Sequence, residues 1–247
     1  MNLALTIDLY CTGTSEGAKK AWDSRGRGSD RPTPIKVKSV EEAIPLIRAG
    51  KVVELPDTKS VHTLLEKLAK LNERGQHYDL CNVTVKGTNL FCADNIGIAR
   101  IDMPQFSGYP KPGSLADKLP KDDKGGVNGG EEFIKHLKNI GIATAAESVP
   151  AAFLRSSQRE LIGTKVADMM EKKGRSLLSK KPIFISRDNY VVDGHHRWAA
   201  IVGLDAGTKR FGNLRMNVYR VDAPISEILQ IGKKWSKEFG IDPKGVE

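Results

Sequence analysis

The sequence predicts a protein of the α/β (α+β) class in which a regular C-terminal half follows a smaller α/β unit. Short apolar runs that fit buried strands alternate with segments whose apolar residues recur every three or four positions, the spacing of an amphipathic helix. The 247 residues are 39% hydrophobic and 28% charged, a composition that can build a core. Because no apolar run approaches the ~20 residues that span a bilayer, we expect no membrane contact.

Residues 1–38 are predicted to form a flexible basic arm. Between positions 12 and 38, Gly, Ser and Pro are frequent, and basic residues surround Trp22, namely Lys19, Lys20, Arg25, Arg27 and Arg31. Basic residues around one aromatic ring could hold a nucleic-acid backbone and stack a base, which makes DNA a partner to consider. We favour the simpler interpretation, a solvated linker in which the tryptophan packs locally.

Residues 39–103 are predicted to form an N-terminal α/β domain. A hydroxyl at Ser39 followed by Glu41 and Glu42 is the pattern of a helix N-terminus, and Gly50 marks the end of that helix. The elements expected here are a helix over 39–50, a strand over 51–55, a helix from 57 or 58 to 75, and strands over 80–85 and 89–93.

Residues 104–130 differ in character from the segments on either side. They contain four prolines and six glycines, and they have few residues that could join a core. We therefore predict a long loop that links two domains and that could also act as a lid over a site.

The C-terminal domain, residues 131–247, has the most regular pattern of the chain. Strand-like runs and helical periodicities alternate there, with turn residues between them. The expected elements are helices over 131–141 and 164–174, a strand over 181–186, a turn at 187–189, a strand over 190–193, a helix over 195–204, a strand over 214–221, and a final helix over 223–240 capped by Asp222.

Charge and cysteine content narrow the classes of partner and compartment. The net charge of +9 favours polyanionic partners such as nucleotides or nucleic acid, without choosing among them. Cys11, Cys81 and Cys92 are widely spaced and form no CxxC pair, which argues against a zinc site and against a disulfide framework. We expect free thiols in a reducing cytoplasm, and no signal peptide, since no basic residue precedes the apolar N-terminal stretch.

The most informative segment is VVDGHHR, residues 191–197, where a predicted strand meets a predicted helix at Gly194. The first turn of a helix has unpaired N–H groups and a partial positive charge, and a glycine lets the backbone approach an anion closely. His195, His196 and Arg197 add side chains that can bind a phosphate, and an arginine can do so with two parallel hydrogen bonds. The segment therefore predicts a phosphate-binding turn.

Asp193, which precedes the glycine, allows more than one role. It could hold Mg²⁺ or accept a proton from a substrate. It could also simply cap the helix and pair with Arg197, and an isolated histidine is usually structural. The functional interpretation is favoured because two histidines, an arginine and a carboxylate converge on one turn, and packing alone does not require such a cluster.

The run DGHHRWAA, which follows PIFIS and YVV, resembles the strand-turn-helix of the ParB/sulfiredoxin superfamily, where this element binds nucleotide phosphates. The resemblance covers roughly residues 145–221, and it includes a box from Leu154 to Gln158 before a helix. It implies a C-terminal domain with a small mixed sheet and flanking helices that binds ATP or ADP, or else CTP, together with Mg²⁺ at Asp193. The nucleotide-binding residues that it implies are Ser157, Gln158, Gly194, His195, His196 and Arg197.

Members of the superfamily differ at this turn. Sulfiredoxins have a cysteine where this chain has His195, in a GCHR motif, so the resemblance argues against sulfinic-acid repair. Chromosome-partitioning ParB proteins have an Arg-rich motif and an added helix-turn-helix, and we find no such module after residue 221. The ADP-dependent free-serine kinases share DGHHR, and in them an upstream glutamate is the base. Gln158 falls near that position and cannot be a base, which leaves Glu160 or Asp193 for the role.

Three functions follow from these observations. The one we favour is a nucleotide-binding phosphotransferase or NTPase, a kinase-like enzyme with catalytic residues Asp193, His195, His196 and Glu160. The second is a ParB-like DNA-binding protein or nuclease in which the same turn holds a DNA phosphate. The third is a non-catalytic structural or interaction module that retains the pocket, because Gln158 replaces an acidic residue. The N-terminal half is similar to phage or mobile-element proteins with ParB-like domains, so we expect the cytoplasm of a bacterial host.

Overall fold

The structure is a computed structural model that describes residues 33–38, 40–55, 78–79, 84–85, 88–89, 91–173, 182–206 and 210–243. Residues 1–32 of the predicted arm, which was expected to extend to residue 38, and the predicted helix over 57–75 lie outside these residues. The last part of that arm is not a flexible linker, because Ile35–Lys36 pairs as a strand with Val53–Glu54 and Val37 is buried. The described α-helices are α1 Val40–Arg48, α2 Gly130–Asn139, α3 Gly163–Asp168, α4 His195–Ala206 and α5 Ile225–Phe239. None of the described helices is both long enough and apolar enough to cross a membrane.

Thirteen strands, most of them short, are formed by the described residues. They are β1 Ile35–Lys36, β2 Val53–Glu54, β3 Tyr78–Asp79, β4 Thr84–Val85, β5 Thr88–Asn89, β6 Ser107–Pro110, β7 Val127–Asn128, β8 Thr144–Pro150, β9 Glu160–Leu161, β10 Ile183–Ser186, β11 Val191–Asp193, β12 Arg215–Val221 and β13 Ile241–Pro243. Single 3₁₀ turns lie at Arg100–Asp102, Ala116–Lys118 and Ala151–Phe153, and α3 continues into a π-helical turn at Met169–Lys173. The predicted mixed α/β class is confirmed.

A four-stranded mixed sheet, in the order β11-β10-β12-β8, forms the centre of the fold. β10 and β12 run parallel, with Ile183 opposite Val218, and the two outer pairs are antiparallel. All four residues of β10 are buried, as expected for an inner strand covered on both faces. The strands predicted from the apolar runs before and after DGHHR are therefore confirmed, as is the turn between β10 and β11.

Alternation of side chains along the strands divides the core into two layers. Ile183 and Ile185 of β10 belong to one buried cluster, together with residues of α1, α3 and α4. Phe184, which points to the other face, belongs to a second cluster with residues of α2 and α5. The sheet is thus sandwiched between helices, and each layer is sealed by aliphatic or aromatic side chains.

Residues 104–130 form more regular structure than the loop that we predicted. They contribute β6 and β7, which make a three-stranded sheet with β13. Phe106 and Val127 are each only 2% exposed, and Phe106 stacks on Phe133 of α2 with ring centroids 4.3 Å apart. The prediction of a core-poor loop was wrong because a few apolar residues suffice when each is buried completely, and composition does not show this.

Residues on both sides of the predicted domain boundary share one core. Ala43, Ile44 and Ile47 of α1 belong to the same buried cluster as Ala151 and Ala199 of the C-terminal half. The helix itself begins and ends close to the predicted bounds, with the Glu42 carboxylate accepting a hydrogen bond from the Lys38 N–H at 2.8 Å. The described part of the predicted N-terminal domain therefore does not have a separate core.

Two further features differ from what the sequence indicated. β8, over Thr144–Pro150, pairs with β12 along its whole length and was not predicted, because its residues TAAESVP show little alternation and few β-branched side chains. Cys92 is disulfide-bonded, which corrects the expectation of free thiols for this residue. The spacing of the three cysteines contained no sign of this pairing.

The N-terminus of α5 is also capped by a different residue from the one predicted. The Ile225 N–H donates to the Asp188 carboxylate at 3.0 Å, and Asp188 belongs to the turn between β10 and β11. Asp222 instead forms an exposed ion pair with Arg187 at 3.4 Å. Asp222 lies too early in the chain, since Pro224 occupies the capping position, and a cap from a distant turn cannot be found by local pattern.

Replacing Asp188 with Ala should therefore destabilise the protein, because it leaves a helix N–H without its acceptor. We expect Asp188→Ala to lower the free energy of unfolding by about 1 kcal/mol. The matched variant Asp222→Ala should change it by less than about 0.5 kcal/mol, since an exposed ion pair contributes little. Urea unfolding measures both, and an equal loss in the two variants would contradict the capping assignment.

Candidate functional site

The strand-to-helix turn singled out by the sequence has a sterically restricted geometry. β11 ends at Asp193 and α4 begins at His195, so Gly194 alone connects them. Gly194 has a φ of +92°, and a β-carbon added to it would lie 2.9 Å from the Cβ of Ile183 in β10. Glycine is therefore required both by the left-handed backbone conformation and by the lack of space.

This turn borders a cleft of about 230 Å³. Segments 100–107, 158–169 and 192–197 contribute its walls. Small-molecule sites usually enclose ~300–1,000 Å³, so this cleft suits a phosphate group with the atoms next to it rather than a whole nucleotide. Because α4 begins at the cleft, the N–H groups of its first turn and its positive dipole end favour an anion there.

Three cationic side chains, those of Arg100, Lys165 and Arg197, line the cleft around the carboxylate of Asp193. Burial raises the pKa of Asp193 above its usual value, although the positive charges of the three cations lower it. Burial also lowers the pKa of both arginines, which still remain charged at neutral pH. The cleft thus contains an excess of positive charge that is partly removed from water, and such an environment favours an anion.

His195 is buried and links the turn to the segment before β9. The Gln158 N–H donates to its Nε2 at 3.2 Å, and the Ser157 hydroxyl lies 3.1 Å from the same nitrogen. An Nε2 that accepts from an N–H carries no proton, so the ring is neutral. Burial lowers the pKa of His195 to about 3, and the positive charge of Arg100 adds to this effect. These contacts give the predicted catalytic histidine a positioning role.

His196 makes a second link of the same kind. Its Nε2 accepts a hydrogen bond from the Ile162 N–H at 3.0 Å. Ile162 is the residue immediately before α3, so this bond holds the start of α3 against the start of α4. Lys165, in the first turn of α3, is thereby brought to the cleft. His196 itself also lines the cleft, as the sequence predicted for a phosphate-binding residue.

The two predicted residues of the upstream box, Ser157 and Gln158, differ in their position relative to the cleft. Gln158 lines the cleft, and its side-chain amide donates to the Glu160 carbonyl oxygen. Ser157 is fully buried, and its hydroxyl donates to the Val191 carbonyl oxygen at 2.5 Å. Ser157 therefore holds the box against β11 rather than lining the cleft with Gln158.

Glu160, predicted as a catalytic base, lies next to Arg100 but does not itself line the cleft. Its carboxylate accepts the Arg100 N–H at 3.1 Å and lies 3.3 Å from the Arg159 guanidinium. The described residues that line the cleft do not include it. Asp193 is consequently the carboxylate that the structure brings to the predicted phosphate site.

Sequence reasoning missed Arg100, Lys165 and the residues of the 104–130 segment that border the cleft. Lys165 follows Gly163 at the start of a predicted helix, so its position near a site could have been found from the box that precedes it. Arg100 had no local signal, since it reaches the cleft only through contacts with residues about sixty positions later. Gln105 and Ser107 line the cleft too, which fits the prediction that this segment can border a site.

The residues present do not fit a protein-held Mg²⁺ ion at Asp193. Asp193 is the only carboxylate among the described residues that line the cleft, and three cationic side chains act on it. Mg²⁺ requires several oxygen ligands in near-octahedral geometry. Across the described part of the chain, no group of three or more His, Cys, Asp and Glu side chains is arranged to hold a metal. Cationic side chains therefore supply the positive charge here.

Searches of family models, curated proteins and solved structures found no match to this chain. The fold and the site together define a mixed α/β protein with a cationic cleft at the N-terminus of a helix. The resemblance of DGHHR to the ParB/sulfiredoxin superfamily stays a prediction.

Replacing Gly194 with Ala should damage both stability and the cleft. We expect a loss of about 2–5 kcal/mol in the free energy of unfolding, from left-handed strain of ~1–2 kcal/mol and overpacking against Ile183 of ~1–3 kcal/mol. Gly125→Ala is the matched control, because Gly125 has a φ of +77° and nothing within 4 Å of an added β-carbon. It should lose the strain contribution alone, and equal losses in the two variants would contradict the steric argument.

The buried His195 should make stability depend on pH. Its ring takes up a proton near pH 6.5 in the unfolded chain but only near pH 3 when folded. The free energy of unfolding should therefore fall as pH falls below about 6.5, by up to about 1.4 kcal/mol per pH unit. His195→Gln keeps an acceptor for the Gln158 N–H but cannot titrate. Urea unfolding at several pH values should give a shallower slope for this variant, and parallel slopes would contradict the assignment.

Proposed function

We propose that this protein is a nucleotide-binding enzyme that transfers or hydrolyses a phosphate group of ATP or ADP held in the cleft. The observation that carries the proposal is the convergence of Arg100, Lys165 and Arg197 on the first turn of α4. Charge-assisted hydrogen bonds from such side chains are the strong contacts by which proteins bind phosphate. The resemblance of DGHHR to the free-serine kinases supports the same class of ligand.

Asp193 is the residue that we propose for proton transfer. A general acid or base works best when its pKa lies near the working pH, and burial moves the pKa of Asp193 in that direction. It would accept the proton of the attacking water or hydroxyl, since Gln158 cannot accept one and Glu160 does not line the cleft. Arg197 is close enough to influence its charge and would bind the phosphate oxygens.

The remaining side chains of the cleft would act by position and charge. Phosphoryl transfer depends chiefly on alignment and on neutralising the charge of the transferred group. The two arginines and Lys165 would supply that neutralisation in a space partly closed to water, where electrostatic effects are stronger. His195 and His196 would maintain the geometry through their bonds to backbone N–H groups.

Nucleotide binding and its dependence on Arg197 test the proposal. A ligand present at about 100 times its Kd should stabilise the folded protein by about 2.7 kcal/mol, which raises the Tm. We expect a rise with ATP, ADP or CTP, measured with and without added Mg²⁺. Arg197→Ala should weaken binding at least about tenfold, because a hydrogen bond to a charged group contributes about 1.5–3 kcal/mol.

Arg187→Ala is the matched control for this experiment. Arg187 lies in the turn between β10 and β11, is largely exposed and pairs with Asp222, so its loss should leave nucleotide binding unchanged. Asp193→Asn should retain binding but lose the release or transfer of phosphate. No shift of the Tm with any nucleotide would overturn the proposal, and salt-sensitive DNA binding that requires Arg197 would replace it with the DNA-binding function.

A further inference from the structure

Two glutamine side chains, those of Gln105 and Gln158, line the cleft and are held in the same way. The Nε2 of Gln105 donates to the Met103 carbonyl oxygen at 3.0 Å. The Nε2 of Gln158 donates to the Glu160 carbonyl oxygen. A carbonyl oxygen can only accept a hydrogen bond, so the amide nitrogen of each glutamine must face the main chain. The amide oxygen is therefore the atom that each side chain leaves for another partner.

Neither amide oxygen has a hydrogen-bond donor among the described residues. Gln158 is only 5% exposed, and its backbone is fixed by the N–H bond to His195 and by the bond from the Asn95 side chain to its carbonyl oxygen. Over the part of the chain that the structure describes, the side-chain atom sealed from solvent without a partner is the Nε of Arg155. The Oε1 of Gln158 thus remains open to the space that this residue lines, which is the cleft.

The two amides belong to neighbouring parts of the cleft wall. Met103 holds Gln105 through its carbonyl oxygen, and the Met103 sulfur lies 3.9 Å from the hydroxyl oxygen of Ser157. Ser157 immediately precedes Gln158, and its carbonyl oxygen accepts the Ile98 N–H at 2.9 Å. Gln105 comes from a segment outside the region that resembles the ParB/sulfiredoxin superfamily. The pair of amide acceptors is therefore a feature of this chain's own arrangement.

Fixed acceptors in a phosphate-binding cleft require hydrogen-bond donors on the part of the ligand that is attached to the phosphate. The cleft has room for a phosphate group and the atoms next to it. In a nucleotide those atoms are the ribose, whose hydroxyl groups are neutral donors. A site built to hydrogen-bond a hydroxyl group rejects the analogue that lacks it, because the polar groups of the site are then left unpaired.

We propose that Gln105 and Gln158 bind the ribose hydroxyl groups of the nucleotide through their amide oxygens, so that the cleft distinguishes ribonucleotides from nucleotides without these hydroxyls. The inference rests on the proposed function and names the part of the ligand that contacts the wall beside the phosphate. It also gives Gln158 a role that an amide can perform, in place of the base that it cannot be. The two glutamines are specificity-determining residues, and neither takes part in proton transfer.

The first test compares AMP with 2′,3′-dideoxy-AMP, which have the same phosphate and base and differ in the two ribose hydroxyls. Calorimetric titration of the wild-type full chain should show AMP binding at least about tenfold more tightly, because each lost hydroxyl leaves an acceptor unpaired. This comparison does not depend on the folding of a variant. Equal affinities for the two ligands would overturn the inference while leaving nucleotide binding intact.

Gln105→Met and Gln158→Met test the two residues separately, since methionine is similar in size and has no amide oxygen. Each variant should weaken AMP binding about tenfold and change dideoxy-AMP binding by less than about threefold. Gln230→Met is the matched control, because Gln230 is exposed on α5 and does not line the cleft. Its ratio of the two affinities should equal that of the wild type.

Gln105→Met keeps the test decisive if Gln158→Met does not fold, because Gln105 is half-buried rather than buried. An unchanged ratio of the two affinities in Gln105→Met would overturn the inference. Equal weakening of AMP and dideoxy-AMP would also overturn it, since the glutamine would then support the wall without recognising the hydroxyls.

Ribose 5-phosphate and 2-deoxyribose 5-phosphate, which have no base, separate the inference from the proposed function. If ribose 5-phosphate binds as tightly as AMP and loses its advantage over the deoxy form in Gln105→Met, the amides recognise a phosphorylated sugar and the nucleotide function fails. If AMP binds far more tightly than ribose 5-phosphate and both show this dependence, the function and the inference both hold. Failure of all four phosphate esters to bind would overturn both.

Discussion

Strand β10 is buried on both faces, and most of the architecture follows from that constraint. A strand whose four residues are all removed from water must be an inner strand with cover on each side. Its alternating side chains divide the core, with Ile183 and Ile185 in one layer and Phe184 in the other. The contact of Ile183 with Gly194 then brings the start of α4 directly onto the sheet. The cleft therefore lies directly beside the buried centre of the sheet.

Two neighbouring histidines hold other segments of the chain against the first turn of α4. Each accepts a backbone N–H, His195 from Gln158 and His196 from Ile162, and each bond attaches a separate segment to the first turn of α4. Imidazole suits this task because, unlike Lys or Arg, it can accept a hydrogen bond without introducing a buried charge. Ile162 directly precedes the helix that contributes Lys165, so the bond to His196 helps to bring that cation to the cleft. Arg100 is attached less directly, because Ile98 pairs with the backbone of the box that contains Gln158.

The sequence predicted the parts of the fold that depend on local pattern. The strands before and after DGHHR, helices α1, α2, α4 and α5, and the turn at Gly194 all follow from periodicity and turn chemistry, and they agree with the structure. The sequence missed β8 and the strands within 104–130, because pairing with distant strands and a few fully buried residues stabilise them. The local propensity of a segment does not indicate which distant strands it will pair with.

The site shows the same division between local and distant information. The residues of DGHHR lie together because they are consecutive, and Asp193 and Arg197 line the cleft as expected. Gln158 joins them, and its N–H donates to His195. The sequence predicted that Gln158 lies at the site, but it did not predict this hydrogen bond. Arg100 could not be predicted, since only the pairing of Ile98 with the box brings it near. Glu160 was predicted as a base, but it does not line the cleft. Its carboxylate instead accepts the N–H of Arg100.

Assembling the cleft requires contacts between positions far apart in the chain, and this has a consequence for folding. The bond between the Arg100 N–H and Glu160 spans sixty residues, and that between Ser157 and His195 spans thirty-eight. Closing long loops costs entropy before the contacts compensate for it, so local elements such as α4 form early and pairings of this kind form late. The positive charge of the cleft is thus a property of the completed molecule. A peptide that contains only the glycine turn and its helix would carry Asp193 and Arg197 but would lack Arg100 and Lys165, which give the lining of the cleft its additional positive charge.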